Sequence, residues 1–500
     1  MALHRRLPDR SGLASAIRRR VAIDARSLAA FRTAVGVLLI ADLLLRSRDL
    51  VAFYTDAGVL PREALAQFSA EWAFSLHALS GAAWYEGLLF VVAGVVAAAL
   101  AAGYRTRVAT FASWVLLVSL QNRNPVVLNG GDVLLRLVLL WAIFVPLGER
   151  WSLDARRRAG RAAGETEASA PRRAIASLGT AALLGQVVIM YGSNALFKLN
   201  GTLWLDGTAI QYVFSLDQFT ILLGDVLANY PLLLHAGALL WMALLVCSPL
   251  LLGLTGWRRA VLVGLFMSMH LGMLLTMQLG LFPLIAVAAL VPFLPGEVWD
   301  AVGLGAVPTD DGDRSGLATG AEAGKGTLPS AFRRRAGQFR SGVVAVLFVL
   351  VLLSNLGATG YQTVPDQADP VVQATAIDQR WSMFAPDPMR VDGWYVVPGE
   401  LENGSQVDAL HGGAVTWDRP PELAATYPNA RWRKYLVNLW RGWFHPSREY
   451  LSRYLCRKWN DEHATKMEQV TLYYMEQPSR LDGPEPIEKK RLLRHTCGAA

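Results

Sequence analysis

Apolar runs of roughly helical span length alternate with short polar connections along most of this chain. They fall at about 28–45, 84–103, 107–121, 132–147, 175–198, 229–253, 258–276, 279–295 and 341–358. Runs of this kind predict membrane-spanning helices, because a helix satisfies its own backbone groups in hydrocarbon. From about residue 360 the pattern changes. Two strand-like stretches, 394–402 and 405–410, flank Asn403-Gly404, a strong hairpin signal. Residues 429–464 read as helical, and 469–475 alternate as another strand. The predicted fold class is an all-α polytopic membrane protein of about nine transmembrane helices, followed by a small C-terminal α+β domain.

The positive residues sit in alternate connections. Arg18, Arg19, Arg20 and Arg26 precede the first run, and Arg105 and Arg107 separate the second from the third. Arg156, Arg157, Arg158, Arg172 and Arg173 separate the fourth from the fifth, and Arg258 and Arg259 open the seventh. Arg314, Lys325, Arg333, Arg334, Arg335 and Arg340 precede the ninth, whereas the connection from 199 to 228 has no lysine or arginine. The positive-inside bias then places the N-terminus in the cytoplasm of a cell-membrane protein and the C-terminal domain outside. The chain divides into a cytoplasmic tail (1–25), eight spans (26–300), a cytoplasmic linker (301–340), a ninth span (341–358) and an extracytoplasmic domain (360–500). Residues 160–172 and 305–330 are rich in small and polar residues and read as disordered linkers. The segment 46–83, broken by glycine and proline and rich in aromatics, reads as interfacial helices on the outer surface.

Composition agrees with a membrane protein: 53% of residues are hydrophobic and 18% charged. The net charge of +8 is explained by the topology arginines and does not point to nucleic acid. No secretory leader is read, because the first apolar run is too long for one and no cleavage pattern follows it. Of three cysteines, Cys247 lies in an apolar helix and reads as a packing residue. Cys456 and Cys497 share the C-terminal domain, and an oxidising compartment would allow them to pair.

Polar residues inside the apolar runs carry the chemistry. Lys198 ends the fifth run, four residues after Asn194 and shortly before Trp204 and Asp206. An ammonium in hydrocarbon costs roughly 2.5–3.5 kcal/mol on insertion scales, so it is a functional candidate. Desolvation favours the neutral amine, which is a base. The alternative is a side chain that snorkels to the headgroups. Asn194 shares a helix face with Lys198 and could hold its head; Asp206 could be the counter-charge or cap the next helix. Asn129, Asp132 and Arg136 stand at the entrance of the fourth run, where capping and an i,i+4 ion pair are the structural reading. His270 lies mid-run in the seventh span, with Gln278 beyond it. A buried neutral imidazole can relay a proton or simply bond within the core. No second ligand stands at metal spacing, so no metal is expected. Phosphate-loop, dinucleotide and nucleophile-elbow signatures are absent.

These residues resemble the horizontally transferred transmembrane domain family, which includes the vitamin K-dependent gamma-glutamyl carboxylase. The matching pieces are Phe53 to Glu63, Asn129 to Trp151, Phe197-Lys198-Leu199 with Trp204 and Asp206-Gly207, and Met269-His270 through Phe282. Gln379 to Pro388 and the hairpin after it resemble the tail of prokaryotic members. The resemblance implies that Lys198 deprotonates a reduced quinone, of menaquinone or vitamin K type. Oxygen then generates a strong base that removes a glutamate γ-proton, and carbon dioxide adds. His270 matches the family's intramembrane histidine. Phe197 stands where the carboxylase has a second lysine, Gly131 where it has a histidine, and the outer domain is far smaller.

The expected function is a quinol-dependent membrane enzyme with Lys198 as base, His270 as partner, and Asn129, Asp132, Arg136, Asn194, Trp204, Asp206 and Gln278 around the pocket. Its expected partners are membrane lipid or quinone and an extracytoplasmic peptide or protein substrate. The alternative is a non-catalytic membrane protein that binds a lipid, peptide or partner through the same cavity. A transporter would require an internal repeat, and none is evident.

Overall fold

The computed structural model describes residues 10–67, 71, 73–162, 173–304, 317–319, 330–360, 365–442 and 446–498. The two stretches read as disordered linkers fall mostly outside the described residues.

Each apolar run forms a helix, and local chemistry sets the ends. α1 (Ala25–Ser47) begins where the Asp24 carboxylate accepts the amide of Arg26. α2 (Ala83–Ala102) ends at Gly103, whose φ of 70° makes a left-handed cap. α3 spans Thr106–Arg123. α4 (Gly130–Ala142) and α5 (Leu178–Leu199) open with reciprocal capping boxes, Asn129 with Asp132 and Ser177 with Thr180. α6 (Pro231–Val246), α7 (Gly256–Thr276), α8 (Phe282–Leu290) and α9 (Ser330–Ala358) follow. α1, α2, α5, α7 and α9 are long and apolar enough to cross a bilayer, whereas α6 and α8 are shorter apolar helices. α4 is apolar nearly all round and buried from Leu134 to Ala142. It packs against α3, α5 and α8 at the centre of the bundle.

The two ends of the bundle differ. At one, Arg26 pairs with Asp24 at 3.0 Å and Asp300 at 2.6 Å, and Arg32 donates to the carbonyls of Leu147, Arg150 and Trp151. A small sheet there pairs Ile23–Asp24 with Ala174–Ala176, and the latter with Leu317–Thr319. Parts of three arginine-rich connections, before the first run, between the fourth and fifth and before the ninth, therefore meet at this end. The C-terminal domain covers the other.

That domain is an antiparallel sheet with two helices. Its elements are β1 (Val391–Val396), β2 (Pro398–Leu401), β3 (Gln406–Asp408), α10 (Ala430–Trp440), α11 (Ser447–Glu462), β4 (Met467–Pro478) and β5 (Glu488–Thr496). β4 is central: β1 and β2 share one edge in series, β5 takes the other, and β3 pairs with β2. Gly404, at φ 80°, turns the predicted hairpin. The Cys456–Cys497 disulfide forms, with Cα atoms 5.6 Å apart. Cys247 is exposed on the bundle rather than packed.

Of the segment expected on the outer surface, the part around Phe53 to Leu60 is instead largely buried beneath the C-terminal domain. Phe53, Tyr54, Val59 and Leu60 share one apolar core with Trp432, Tyr435, Leu436 and Leu451. The Phe53 and Trp432 rings lie 4.7 Å apart. Aromatic residues that would suit headgroups find protein above them.

Candidate functional site

Tyr191, Asn194 and Lys198 lie at i, i+3 and i+7 on α5, so they share one face. A strap, residues 376–390, runs along that face and joins the bundle to β1. Its polar atoms are held one by one. Gln186 donates to the Gln379 side-chain oxygen at 2.8 Å, and the Trp381 indole donates to the same oxygen at 2.6 Å. The Asn194 amide donates to the carbonyls of Trp381 (2.7 Å) and Met383 (3.2 Å). Lys198 Nζ donates to the carbonyls of Met383 (2.9 Å) and Phe384 (3.1 Å). The Trp204 indole donates to Phe384 O at 2.7 Å, and its ring centroid lies 3.4 Å from Nζ. Asp387 accepts the Leu203 amide at 2.9 Å. A Cβ on Gly201 would lie 2.2 Å from Pro386 O, so glycine is what lets the two segments meet.

Lys198 is thus 1% exposed and points into protein, not toward headgroups. Among the described residues no carboxylate reaches it as an ion pair; Asp387 acts on it only at longer range. Asn194 serves the strap rather than the ammonium: its N–H donates to strap carbonyls, and Lys198 donates to strap carbonyls itself. Asp206 is not the counter-charge either: its carboxylate accepts the Thr208 amide and hydroxyl and shapes a local turn.

His270 comes from α7 and is fully buried. Its Nε2 lies 2.8 Å from the Tyr191 hydroxyl, and its ring packs on Trp241 and Phe282. His270 therefore meets, through Tyr191, the same face of α5 that carries Lys198. Seven residues of helix, about 10 Å, separate Tyr191 from Lys198. Asn129 caps α4, and its turn abuts the strap: a Cβ on Gly130 would lie 2.5 Å from Met383 Sδ. Gln278 is bound by Arg433 of α10, through its side-chain oxygen at 3.1 Å and through its carbonyl.

Asp132 does not pair with Arg136 as the spacing suggested. It is taken by two guanidinium groups from distant elements, Arg46 at 2.5 Å and Arg431 at 3.0 Å. Asp42 completes the group, 2.7 Å from Arg46 and 2.6 Å from Arg431, and Arg46 also donates to the Tyr54 hydroxyl. Arg136 turns instead to Gln121 (3.2 Å) and the Asp378 carbonyl (3.1 Å) of the strap. Arg46, Asp42 and Arg431 went unnoticed in the sequence. The available signal was Asp42 and Arg46, four apart inside the first apolar run.

At the domain junction, Asp392 accepts the amides of Asp217 and Gln218. Burial, with the Asp217 charge nearby, pushes its carboxyl up to about 7. Burial pushes the Arg433 guanidinium down to about 10. Among the described residues no three His, Cys, Asp or Glu side chains gather as a metal site.

No curated protein and no solved structure matches the chain. The HTTM domain matches residues 21–299, which spans α1 to α8 and stops before the strap. With more than half of its length matched, through the helices that carry Lys198 and His270, the chain belongs to the HTTM domain family, whose domain is found in vitamin K-dependent gamma-glutamyl carboxylase.

Proposed function

We propose that this protein is a membrane-embedded enzyme in which Lys198 is the base and a reduced quinone, of menaquinone or vitamin K type, is the cofactor. The observation that supports this reading is that the lysine is redundant as a hydrogen-bond donor. Met383 O is also served by Asn194, and Phe384 O by Trp204. The strap does not need the ammonium. A buried charge with no counter-ion is costly to keep. Chemistry accounts for it: an amine held away from water can take a proton, and a dry site protects reactive species.

The residues suit such a cofactor. Lys198 and Asn194 offer polar atoms; Trp204, Met383, Phe384 and Phe282 offer apolar surface. Lys198, Asn194 and Trp204 would hold the head group beside the Met383–Phe384 turn. When bound, the cofactor supplies with oxygen a base strong enough to remove a carbon-bound proton. Lys198 accepts a hydroxyl proton at Nζ. The resulting ammonium is then solvated by two carbonyls and by the Trp204 ring, a cation–π contact. The Tyr191–His270 pair, deeper along the same face, is placed to hold or pass a proton.

The same reading makes the arginine-rich end cytoplasmic and the C-terminal domain extracytoplasmic, with nine crossings. The disulfide suits that compartment. Carboxylation of an extracytoplasmic peptide or protein is the step that would follow.

Purified protein supplied with reduced menaquinone and oxygen is expected to form the quinone epoxide. Lys198→Ala and Lys198→Arg should both abolish it, the latter because arginine does not give up its proton. The amount of folded protein should be unchanged. Full activity in Lys198→Ala would overturn the assignment. A non-catalytic protein that binds a lipid, peptide or partner here is favoured by one fact, the strap already seated on Lys198. That reading expects no epoxide from the unaltered protein.

A further inference from the structure

A second buried polar cluster lies at the same end of the bundle, and the quinol reading makes no use of it. Glu86 of α2, Ser119 and Arg123 of α3, and His77 in the short helix Leu76–Ala78 converge there. Glu86 and Phe90 share one face of α2, and Ser119 and Arg123 one face of α3. The Phe90 ring lies 6.2 Å from His77 and 5.6 Å from Tyr54. Glu86, His77 and Arg123 are all 0% exposed.

The hydrogen bonds settle the tautomer of His77. Ser119 Oγ already accepts two backbone amides, from Leu76 at 2.7 Å and His77 at 3.2 Å. Both lone pairs are used, so its hydroxyl donates to His77 Nδ1, 2.8 Å away. His77 is therefore neutral, with its proton on Nε2. Burial, with Arg46 and Arg123 nearby, pushes the imidazole down to about 3, in agreement. That Nε2–H has no hydrogen-bond partner among the described residues.

Arg123 donates through Nη1 to Leu60 O at 2.8 Å, and its Nη2 lies 3.8 Å from Asp56. Among the described residues its Nε and Nη2 make no hydrogen bond, and neither do the two carboxyl oxygens of Glu86. Among the described residues no ion pair joins Glu86 to Arg123. The charged groups acting on Glu86 are Arg123 and Asp56; Arg62 and Tyr54 also act on Arg123. Asp56 pairs more closely with Arg62, at 2.8 Å, and Glu86 makes no hydrogen bond to Arg123, so an ionised Glu86 would be a buried carboxylate with no contacting partner among the described residues. Asp56 and Arg62 line a surface pocket of about 410 Å³, together with Pro61, Tyr450, Arg453 and Arg457.

We propose that Glu86, His77 and Arg123 form a buried proton-binding site, in which Glu86 carries the proton and exchanges it with solvent past Arg123 and Asp56. Loss of the proton leaves a carboxylate beside the Arg123 guanidinium and passes H⁺ to water at the pocket. No electron moves. The proposal stands apart from Lys198 and from any quinone.

Infrared spectroscopy of the full chain in lipid nanodiscs tests it. At neutral pH the protein should show a protonated-carboxyl C=O band that shifts in D₂O. Glu86→Gln should remove that band while melting as the unaltered protein does, since glutamine copies a neutral carboxyl. Asp392 would contribute a separate band that persists in Glu86→Gln. Asp56→Asn should keep the Glu86 band and slow its deuterium shift severalfold. If Glu86→Gln does not fold, Glu86→Asp must move the band. A spectrum in which no protonated-carboxyl band depends on residue 86 overturns the site. Deuterium exchange unaffected by Asp56→Asn overturns the route.

Discussion

Two buried groups of charge sit at the end of the bundle beneath the C-terminal domain, and they are built on opposite plans. Arg46, Arg431, Asp42 and Asp132 form a neutral quartet in which each guanidinium meets both carboxylates or a phenol. Among the described residues Lys198 has no carboxylate in contact, and it meets two carbonyls that other donors also serve. The quartet draws one member from α10 and the rest from α1 and α4. It therefore fastens the C-terminal domain to the bundle. Lys198 fastens nothing that Asn194 and Trp204 do not already hold. A membrane protein can bury charge for docking or for chemistry, and the presence of a counter-ion distinguishes the two uses here.

The comparison breaks most readily at Arg431. Its removal leaves Asp42 and Asp132 with Arg46 alone, one uncompensated charge in a buried site. Breaking a buried pair costs about 3–5 kcal/mol. Arg431→Ala should lower equilibrium stability in detergent by that amount and free the C-terminal domain for proteolysis near the strap. Arg431→Lys should recover only part of the loss, because a point charge cannot replace a fork across two carboxylates. A value within about 1 kcal/mol of the unaltered protein would show that apolar packing, from Phe53 against Trp432, does the docking instead.

That quartet also shows where the sequence stops being legible. The helices were readable because burial in lipid demands long apolar runs, and the hairpin because Asn403-Gly404 favours its turn. The disulfide followed from compartment and composition. Asp132 was readable only as far as local spacing reaches: four residues on stands Arg136, yet the true partners lie 86 and 299 positions away. The same limit hid the partners of Lys198. They are backbone carbonyls 185 and 186 residues later, and a carbonyl has no signature in a sequence. Gln379 to Pro388 stood out as a motif, but its role as a strap on α5 required the fold. The segment around Phe53 was misplaced for a related reason: aromatics and glycine suit a membrane interface and a domain interface equally.

Asp392 sharpens the comparison from outside the membrane, as a buried carboxylate acted on by the like charge of Asp217 and by Arg419, 3.8 Å away. In the folded protein it keeps its proton up to about 7, whereas an unfolded aspartate loses it near 4. Between those values the folded state binds more protons. Stability should therefore fall as pH rises from about 4 to about 7 and level off above, by on the order of 4 kcal/mol. Asp392→Asn keeps an oxygen for the Asp217 amide and has no proton to lose. Its stability relative to the unaltered protein should rise across that window, as read by melting at a series of pH values. A constant difference would mean that Asp392 is ionised throughout.

The smallest expected effect is the most telling one. Lys198→Met removes the ammonium and leaves a side chain of similar length. Met383 O then keeps Asn194 at 3.2 Å, and Phe384 O keeps Trp204 at 2.7 Å, so neither carbonyl is orphaned. A typical hydrogen bond contributes about 1 kcal/mol net, and losing a redundant donor should cost less. Relief from burying an unpaired cation acts in the opposite direction. The two nearly cancel, and Lys198→Met should melt within about 1 kcal/mol of the unaltered protein while epoxide formation disappears. Set beside the several kcal/mol expected for Arg431→Ala, that outcome would separate a charge kept for reaction from charges kept for structure. If Lys198→Met instead destabilised the protein as severely as Arg431→Ala, the ammonium would be the strap's anchor, and its isolation from carboxylates would need a structural explanation.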